Sequence, residues 1–369
     1  MDSCDVLIVG GGPAGSTLAW KLRDRGLDVL VLDKSAFPRD KVCAGWITPL
    51  TTELLQLDRD EYCRGRVLQP ISGFRTSMIG GAEVVTRYGS TVSYGIRRSE
   101  FDHYLLKRSG ARLRLGEPLK TLERKNDAWI INDDLTAPLV IGAGGHFCPV
   151  SRFLRRNEKR SGPAVIAQET EFEMDESQQR DCRVAGDTPE LFFCEDLKGY
   201  GWCVRKGNFL NIGLGREDNH SLTEQVRSFI GYLRERKRIP AGVPEHFKGH
   251  AYMLYQGASQ TLVDDGVMLI GDSAGLAYPK SGEGIRPALE SALIAADVII
   301  SSAKDYRRSR LLRYISLLAE RFGKEGPTSD ILPQPVKRFV SRRLMESRWF
   351  ARHVVLDRWF LNVHRHVLS

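Results

Sequence analysis

Four consecutive apolar residues, Val6-Leu7-Ile8-Val9, run into Gly10-Gly11-Gly12, and a second run, Val29-Leu30-Val31-Leu32, ends at Asp33. Short apolar runs without polar alternation read as strands buried on both faces, the habit of a parallel sheet covered by helices. Pro13 stands where a helix between the two strands would begin. The pattern recurs twice: Leu139-Val140-Ile141 runs into Gly142-Ala143-Gly144-Gly145, and Val267-Met268-Leu269-Ile270 into Gly271-Asp272. A long apolar helix is expected from Ile285 to Ile300.

Elsewhere the texture differs. Residues 66–96 alternate, with Gly80-Gly81 placed to turn a hairpin, and Leu113 to Asp134 supplies further strands ending in the turn Asn132-Asp133-Asp134. Arg98 to Arg108 has helical spacing at Phe101, Tyr104 and Leu105, whereas residues 36–50 read as a loop rich in turn formers. From about 162 to 260 alternating strands dominate, as in Ala164 to Phe172 and Phe209 to Gly215, around one helix near Thr223 to Arg236. The tail from Val336 to Ser369 is helical in pattern.

These elements predict an α/β protein with a discontinuous Rossmann-like nucleotide-binding domain on a parallel sheet, a second antiparallel-sheet domain and C-terminal helices. The expected nucleotide-binding segments are 1–65, 97–160 and 261–300. The substrate-binding sheet domain takes 66–96 and 161–260, and the C-terminal helical region 301–369.

Gly10, Gly12 and Gly15 occupy the three glycine positions of a dinucleotide fingerprint. They serve a tight turn, close approach of a pyrophosphate and close helix–strand packing. The helix from Pro13 aims its free N–H groups at phosphate. Asp33, 18 residues past Gly15, stands where a ribose hydroxyl would be accepted. The glycines alone leave FAD and NAD open. Asp272, at a strand's carboxyl end, can accept a hydrogen bond from a polyol such as the ribityl chain of a flavin. Gly282 and Gly284 permit close backbone approach there. The positive end of the helix from Ile285 would favour the negative charge of a reduced flavin.

Composition narrows the partners. A net charge of +8 is compatible with anionic substrates or lipid head groups. No nucleic-acid recognition motif appears. Cys4, Cys43, Cys63, Cys148, Cys182, Cys194 and Cys203 contain no CxxC pair, which argues against a disulfide framework and against zinc; no metal is expected. Asp2 and Asp5 precede a first apolar run that reads as a strand, not as the core of a signal peptide. No apolar stretch approaches a membrane span. A cytoplasmic monomer is expected. In the tail, Trp349, Phe350, Trp359 and Phe360 lie among Arg342, Arg343, Arg348, Arg352 and Arg358. That composition suits peripheral contact with a membrane or a helical cap packing its aromatics on the main body. His353, His364 and His366 lack acid or cysteine partners at ligand spacing.

The segments Gly10-Gly11-Gly12-Pro13-Ala14-Gly15-Ser16, Lys41-Val42-Cys43-Ala44-Gly45, Arg98-Ser99-Glu100-Phe101-Asp102 and Gly271-Asp272-Ser273-Ala274-Gly275 resemble those of the geranylgeranyl reductase family of FAD-dependent oxidoreductases. That family belongs to the p-hydroxybenzoate hydroxylase-like flavoproteins. Tyr200-Gly201-Trp202-Cys203-Val204-Arg205-Lys206-Gly207 resembles the family's Tyr-x-Trp-x-Phe-Pro-Lys-Gly segment, which lines the substrate cavity, so the resemblance spans roughly residues 1 to 300. It implies bound FAD, an apolar substrate under a sheet roof, and reduction of isoprenoid double bonds. An external electron donor, NADPH or ferredoxin-like, would recharge the flavin.

Carried over by residue, the resemblance places Gly10, Gly12, Ala14 and Gly15 at the pyrophosphate, and Asp33 with Lys34 at the adenosine ribose. Leu119 falls near the adenine, and Arg98 at phosphate or ribityl oxygens. Gly271, Asp272, Gly282, Gly284 and Ile285 take the ribityl chain and ring edge. Cys43, Ala44 and Gly45 lie beside the flavin, and Tyr200, Trp202 and Tyr278 at the substrate. Cys43 is the candidate catalytic residue, donating or relaying a proton to the alkene; a small packing residue in a turn is the alternative.

Three departures stand out. Ala44 replaces a usual glycine, Val204-Arg205 replaces Phe-Pro, and Gly142-Ala143-Gly144-Gly145 lacks the aspartate of the hydroxylases' Gly-Ala-Asp-Gly. The last argues against direct NADPH use and hydroxylation. Tyr200 and Arg205 also break the Trp-x-Trp-x-Ile-Pro segment of flavin-dependent halogenases. The expected activity is reduction, or in reverse dehydrogenation, of carbon–carbon double bonds in an isoprenoid-like substrate. The alternatives are a flavin-dependent monooxygenase of an aromatic or polyketide-like substrate, and a non-catalytic flavin-binding protein at a membrane surface.

Overall fold

The computed structural model describes residues 1–158, 164–218, 221–257, 261–323 and 334–364. The chain forms two compact units. One comprises Met1–Arg39, Ser99–Gly162 and Tyr252–Pro327; the other comprises Asp40–Arg98, Pro163–Ala251 and Thr328–Ser369.

The apolar runs of the first unit lie side by side. Its six-stranded sheet has the order Val263–Asp264, Val267–Leu269, Leu139–Gly142, Val6–Val9, Val29–Asp33, Arg112–Leu115. All neighbours are parallel except the short Val263–Asp264 edge. Every residue of Val6–Val9, Val29–Asp33 and Leu139–Gly142 is buried, which explains their unbroken apolar character. Helix Pro13–Leu22 packs against helix Ile285–Ser301.

The latter helix is apolar on most faces. Its buried charged residues, Arg286 and Glu290, stand four apart with no exposed side-chain area and pair at 2.9 Å. Arg321 approaches the same carboxylate at 2.5 Å, and the Tyr278 hydroxyl donates to it at 3.1 Å. A buried carboxylate held by two cations avoids the desolvation cost of an unpaired charge. Residues beyond 300 also belong here: Tyr314, fully buried, donates its hydroxyl to the Leu269 carbonyl at 3.0 Å.

The second unit holds a seven-stranded sheet, ordered Lys248–Met253, Ala164–Glu173, Phe209–Arg216, Gly199–Lys206, Glu190–Phe193, Gly73–Met78, Val84–Arg87. Gly80 turns the hairpin between the last two strands with φ +77°. The faces separate with period two. Phe192, Cys203, Leu210, Ile212 and Leu214 pack with Val226, Phe229, Ile230 and Leu233 of helix Leu222–Glu235. Leu191, Phe193, Trp202 and Val204 pack instead with Met345, Val355, Leu356 and Phe360 of the C-terminal segment.

Two segments depart from the sequence expectation. Residues 40–65, grouped above with the nucleotide-binding part, lie in the second unit, where Trp46–Ile47 pairs with Ser93–Ile96 beside Leu68–Ile71. The presumed loop 36–50 carries the strand Trp46–Ile47 and, at its end, the first two residues of helix Pro49–Leu54. The tail, expected as regular helix, forms Gln334–Met345 and then a wide π-helix, Ala351–Phe360. Its buried positions Ala351, Val355, Leu356 and Phe360 lie on the sheet, and Asp357 is tied to the Tyr88 hydroxyl at 2.6 Å. Phe350 and Trp359 are partly buried in this packing, and Trp349 alone of the four tail aromatics stays largely exposed, at 67%. His353, expected to lack an acid partner, meets Asp357 Oδ2 through Nδ1 at 3.2 Å, four residues on along the same winding, and His366 lies outside the described residues.

Candidate functional site

In the first unit the glycine turns have no room for side chains. Gly10 has φ +117°, and a Cβ there would run into the Ala143 carbonyl; one at Gly15 would run into the Gly10 carbonyl. Gly12 is the N-cap of helix Pro13–Leu22, with no side-chain cap and no acid in the first turn, which leaves the helix's positive end to a ligand. Arg39, which sequence reasoning missed, brings its Nη2 to 3.4 Å from where a Gly12 Cβ would stand, and 3.4 Å from Asp102 Oδ2. Its only sequence signal was a cation shortly after the second strand.

Asp33 ends its strand and is buried. Its Oδ2 accepts from the Gly11 N–H at 2.7 Å and its Oδ1 from the Ser35 N–H at 2.8 Å, so it also braces the turn. A carboxylate offers about four lone-pair sites, so acceptor capacity remains for hydroxyls. Lys34 beside it is exposed, and Leu119 is half-buried in the irregular segment after Arg112–Leu115.

The second glycine turn meets the first. Gly271 has φ +59°, and a Cβ there would lie 3.0 Å from that of Ala14. Asp272 follows, with Oδ1 3.1 Å from a Cβ placed on Gly284, the N-cap of helix Ile285–Ser301. That helix also starts with no side-chain cap and no acid in its first turn. Gly282, at φ +68°, lies under the Tyr252 hydroxyl, a second residue missed from sequence. Gly10, Gly12, Ala14, Gly15, Asp33, Gly271, Asp272, Gly284 and Ile285 thus gather at the carboxyl ends of the parallel strands, where ligands of such sheets bind. Two uncapped helix ends, an arginine and two carboxylates fit FAD, which carries a pyrophosphate and two polyol segments. Tyr278, expected at the substrate, is buried with its ring 6.1 Å from Phe322 and its hydroxyl on Glu290. This places it in the unit's packing, because the carboxylate it serves is itself fully buried.

The second unit holds Cys43, Ala44, Gly45, Arg98, Tyr200 and Trp202. Cys43 and Ala44 are half-buried; Arg98 is buried at the start of helix Arg98–Arg108. Tyr200 and Trp202 share one face of their strand, with ring centroids 6.1 Å apart, and Phe360 of the chain's own tail packs on Tyr200 at 5.3 Å. The wall expected to meet substrate is therefore covered, at these rings, by the C-terminal segment.

Around the Cys43 loop stands a polar cluster that local sequence reading did not find. Gly213 opposes both Glu169 and Trp202 in register, and a Cβ on it would collide with the indole. Without one, Trp202 lies flat enough for Nε1 to donate to Asn211 Oδ1 at 2.6 Å. Asn211 Nδ2 faces the Cys43 carbonyl at 3.1 Å, Glu171 Oε2 at 3.0 Å and Glu169 Oε2 at 3.2 Å. Glu169 Oε2 also accepts from the Cys43 N–H at 2.9 Å. Lys206, with no exposed side-chain area, donates to Glu171 at 2.5 Å and to the carbonyls of Ile96 at 3.0 Å and Ala44 at 3.2 Å. Burial pushes the Glu169 carboxyl up to about 7 against the pull of Lys206. Burial also opposes ionisation of Glu171, but the Lys206 ammonium outweighs it and holds that carboxyl below its ordinary range. Among the described residues no His, Cys, Asp and Glu group could hold a metal, and no helix is long and apolar enough to cross a membrane.

Residues 3–59 match the family model described as an FAD binding domain. Over 350 residues the chain is 32% identical to menaquinone reductase of Mycobacterium tuberculosis, covering 88% of this chain and 81% of the relative. It is 27% identical to digeranylgeranylglycerophospholipid reductase of Methanocaldococcus jannaschii, covering 85% and 81%. A geranylgeranyl bacteriochlorophyll reductase-like protein of Thermoplasma acidophilum shares the fold, with TM-score 0.72 at 21% identity over 94% of this chain and 88% of that one. The chain is an FAD-dependent oxidoreductase and belongs to the geranylgeranyl reductase-like family.

Proposed function

We propose that this enzyme reduces carbon–carbon double bonds in the isoprenoid chain of an apolar quinone or lipid, or dehydrogenates that chain in reverse. The observation that carries the reading is relatedness over four-fifths of their length to reductases named for menaquinone and for a digeranylgeranyl lipid, molecules that have isoprenoid chains in common.

FAD, when bound, supplies hydride chemistry. The residues present would divide the remaining work. Gly10, Gly12, Ala14 and Gly15, with Arg39, would hold the pyrophosphate, and Asp33 with Lys34 the adenosine ribose near Leu119. Asp272 and the turns at Gly271, Gly282 and Gly284 would receive the ribityl chain, and the helix from Ile285 would favour negative charge on the ring edge. Arg98 would serve phosphate or ribityl oxygens. Cys43, flanked by Ala44 and Gly45, would give the proton from Sγ. Tyr200 and Trp202, on which the chain's own tail packs, would form the inner layer of the wall that borders the apolar chain. Electrons would come from an external donor, NADPH or ferredoxin-like. Exposed Trp349 between Arg348 and Arg352 suits shallow contact with the anionic membrane surface from which such a substrate is drawn.

The test is product mass. The FAD-loaded protein, kept reduced by dithionite under argon, is incubated with menaquinone and with geranylgeranyl lipids, and the quinone ring is reoxidised before analysis. Gain of two hydrogens per reacting double bond, located in the isoprenoid chain by fragmentation, is expected. Gain of oxygen on admission of air, with no hydrogenation, would overturn the reading in favour of hydroxylation.

A further inference from the structure

Glu169 and Asn211 approach the Cys43 peptide group by group. The carboxylate takes its N–H at 2.9 Å, and the amide donates to its C=O at 3.1 Å. The next two links are also held: Lys206 takes the Ala44 carbonyl at 3.2 Å, and the Gly45 carbonyl accepts from the Ile96 N–H at 2.7 Å. Glycine at position 45 is required, since its φ is +70° and a Cβ would stand 2.6 Å from Lys206 Nζ. A loop of half-buried residues seldom receives so many fixed partners, most of them from the side chains of three adjacent strands.

We propose that Glu169 and Asn211 are positioning residues for Cys43, clamping both ends of the residue that carries the thiol, with the Lys206–Glu171 pair anchoring the clamp. The inference rests on the reading of Cys43 as proton donor only for its purpose, not for its geometry. The design separates two needs. Cys43 Sγ accepts from the Gly45 N–H at 3.4 Å, so the turn itself orients the thiol, while Glu169 and Asn211 fix the backbone on either side of it. Ordering the loop in advance removes an entropic cost that the reaction would otherwise meet.

Charge enters through the groups around Glu169. Glu171 stands two residues along its own strand, and Asn211 and Lys206 come from the next two strands across the sheet. Arg97 reaches Glu171 at 3.3 Å, and on the loop and edge strand beyond, Lys41 and His250 lie 2.9 Å apart. The raised Glu169 carboxyl gains a proton near neutrality, so the clamp holds through an oxygen that accepts whether or not the group is charged. Glu169→Gln should therefore preserve it.

Site-resolved alkylation of the holoenzyme tests the clamp. Iodoacetamide labelling is followed by mass spectrometry at Cys43, with exposed Cys63 as internal reference. Glu169→Ala and Asn211→Ala should change the Cys43 rate about tenfold, the upper end of the scale for one lost hydrogen bond. Cys63 should be unaffected and the flavin complement retained. Glu169→Gln should stay within about threefold of the wild type, whereas Glu169→Met, which keeps the volume without the acceptor, should follow the alanine variant. Wild-type Cys43 rates in both alanine variants overturn the clamp, as does a Glu169→Gln variant no better than Glu169→Ala. If an alanine variant fails to fold, the Glu169→Gln and Asn211→Asp pair decides: Asp keeps the acceptor for Trp202 but loses the donor to Cys43, and should shift the rate where Gln does not. Turnover of Cys43→Ser is read separately. Full activity there refutes the proton-donor role and leaves the clamp standing.

Discussion

Replacing Lys206 with methionine removes a buried ammonium and keeps most of its length. The lysine has no exposed side-chain area and holds Glu171 at 2.5 Å together with two carbonyls. Breaking a buried ion pair by deleting one partner costs about 3–5 kcal/mol, because the other charge is left desolvated. Glu171 would retain Asn211 at 3.0 Å and Arg97 at 3.3 Å, so we expect the lower end, about 3 kcal/mol. Glu171→Gln alone strands the ammonium and should also destabilise. The double variant strands neither and should lose less than the sum of the two single losses by about 2 kcal/mol. The assay is urea unfolding of the FAD-loaded protein followed by circular dichroism at one protein and flavin concentration. Additive losses, or a Lys206→Met variant within about 0.5 kcal/mol of wild type, would refute the idea that this pair is the anchor of the cluster.

Two further outcomes follow from the same geometry. Asp272→Ala should lose bound flavin, read from absorbance after gel filtration, with circular dichroism unchanged; a fully yellow variant contradicts the ribityl role. Glu169 sets a pH dependence of stability. Its folded value of about 7 exceeds the ordinary 4.5, so between those limits the folded state keeps a proton that the unfolded chain releases. Stability should fall as pH rises from 4.5 to 7, by roughly 3 kcal/mol at most, and Glu169→Gln should flatten that slope in urea midpoints measured across the range.

The parts legible in sequence are those whose signal is local. Val6–Val9, Val29–Asp33, Leu139–Gly142 and Val267–Leu269 announce buried parallel strands by unbroken apolar character, and each ends in the glycine or acid that the sheet's carboxyl edge requires. The clamp is different in kind. Its members are brought together by register: Cys43 and Glu169 are 126 positions apart, and Glu169 and Asn211 are 42 apart. A faint signal existed in Glu169 and Glu171, two acids at alternate positions of a strand read as alternating, Glu169 falling on the face of Val165 and Ala167 that is buried, and in Asn211 amid the apolar run Phe209 to Leu214. Neither names its partner. The tail shows a third case. Its helical periodicity was visible, but nothing local marks the wide winding of Ala351–Phe360, which packs Val355, Leu356 and Phe360 on the sheet. Likewise Trp46–Ile47 joins the second unit through a pairing with Ser93–Ile96 that a two-residue strand cannot advertise.

Anaerobic reoxidation of the reduced enzyme tests the central assignment most directly. The purified yellow protein is bleached with one equivalent of dithionite under argon, mixed with menaquinone or a geranylgeranyl lipid, and followed at the flavin absorption band. Return of the oxidised band without oxygen, matched by product hydrogenated in its isoprenoid chain and not only at the quinone ring, is the expected result. A band that stays bleached with every isoprenoid substrate and returns only when air is admitted would contradict the reductase account.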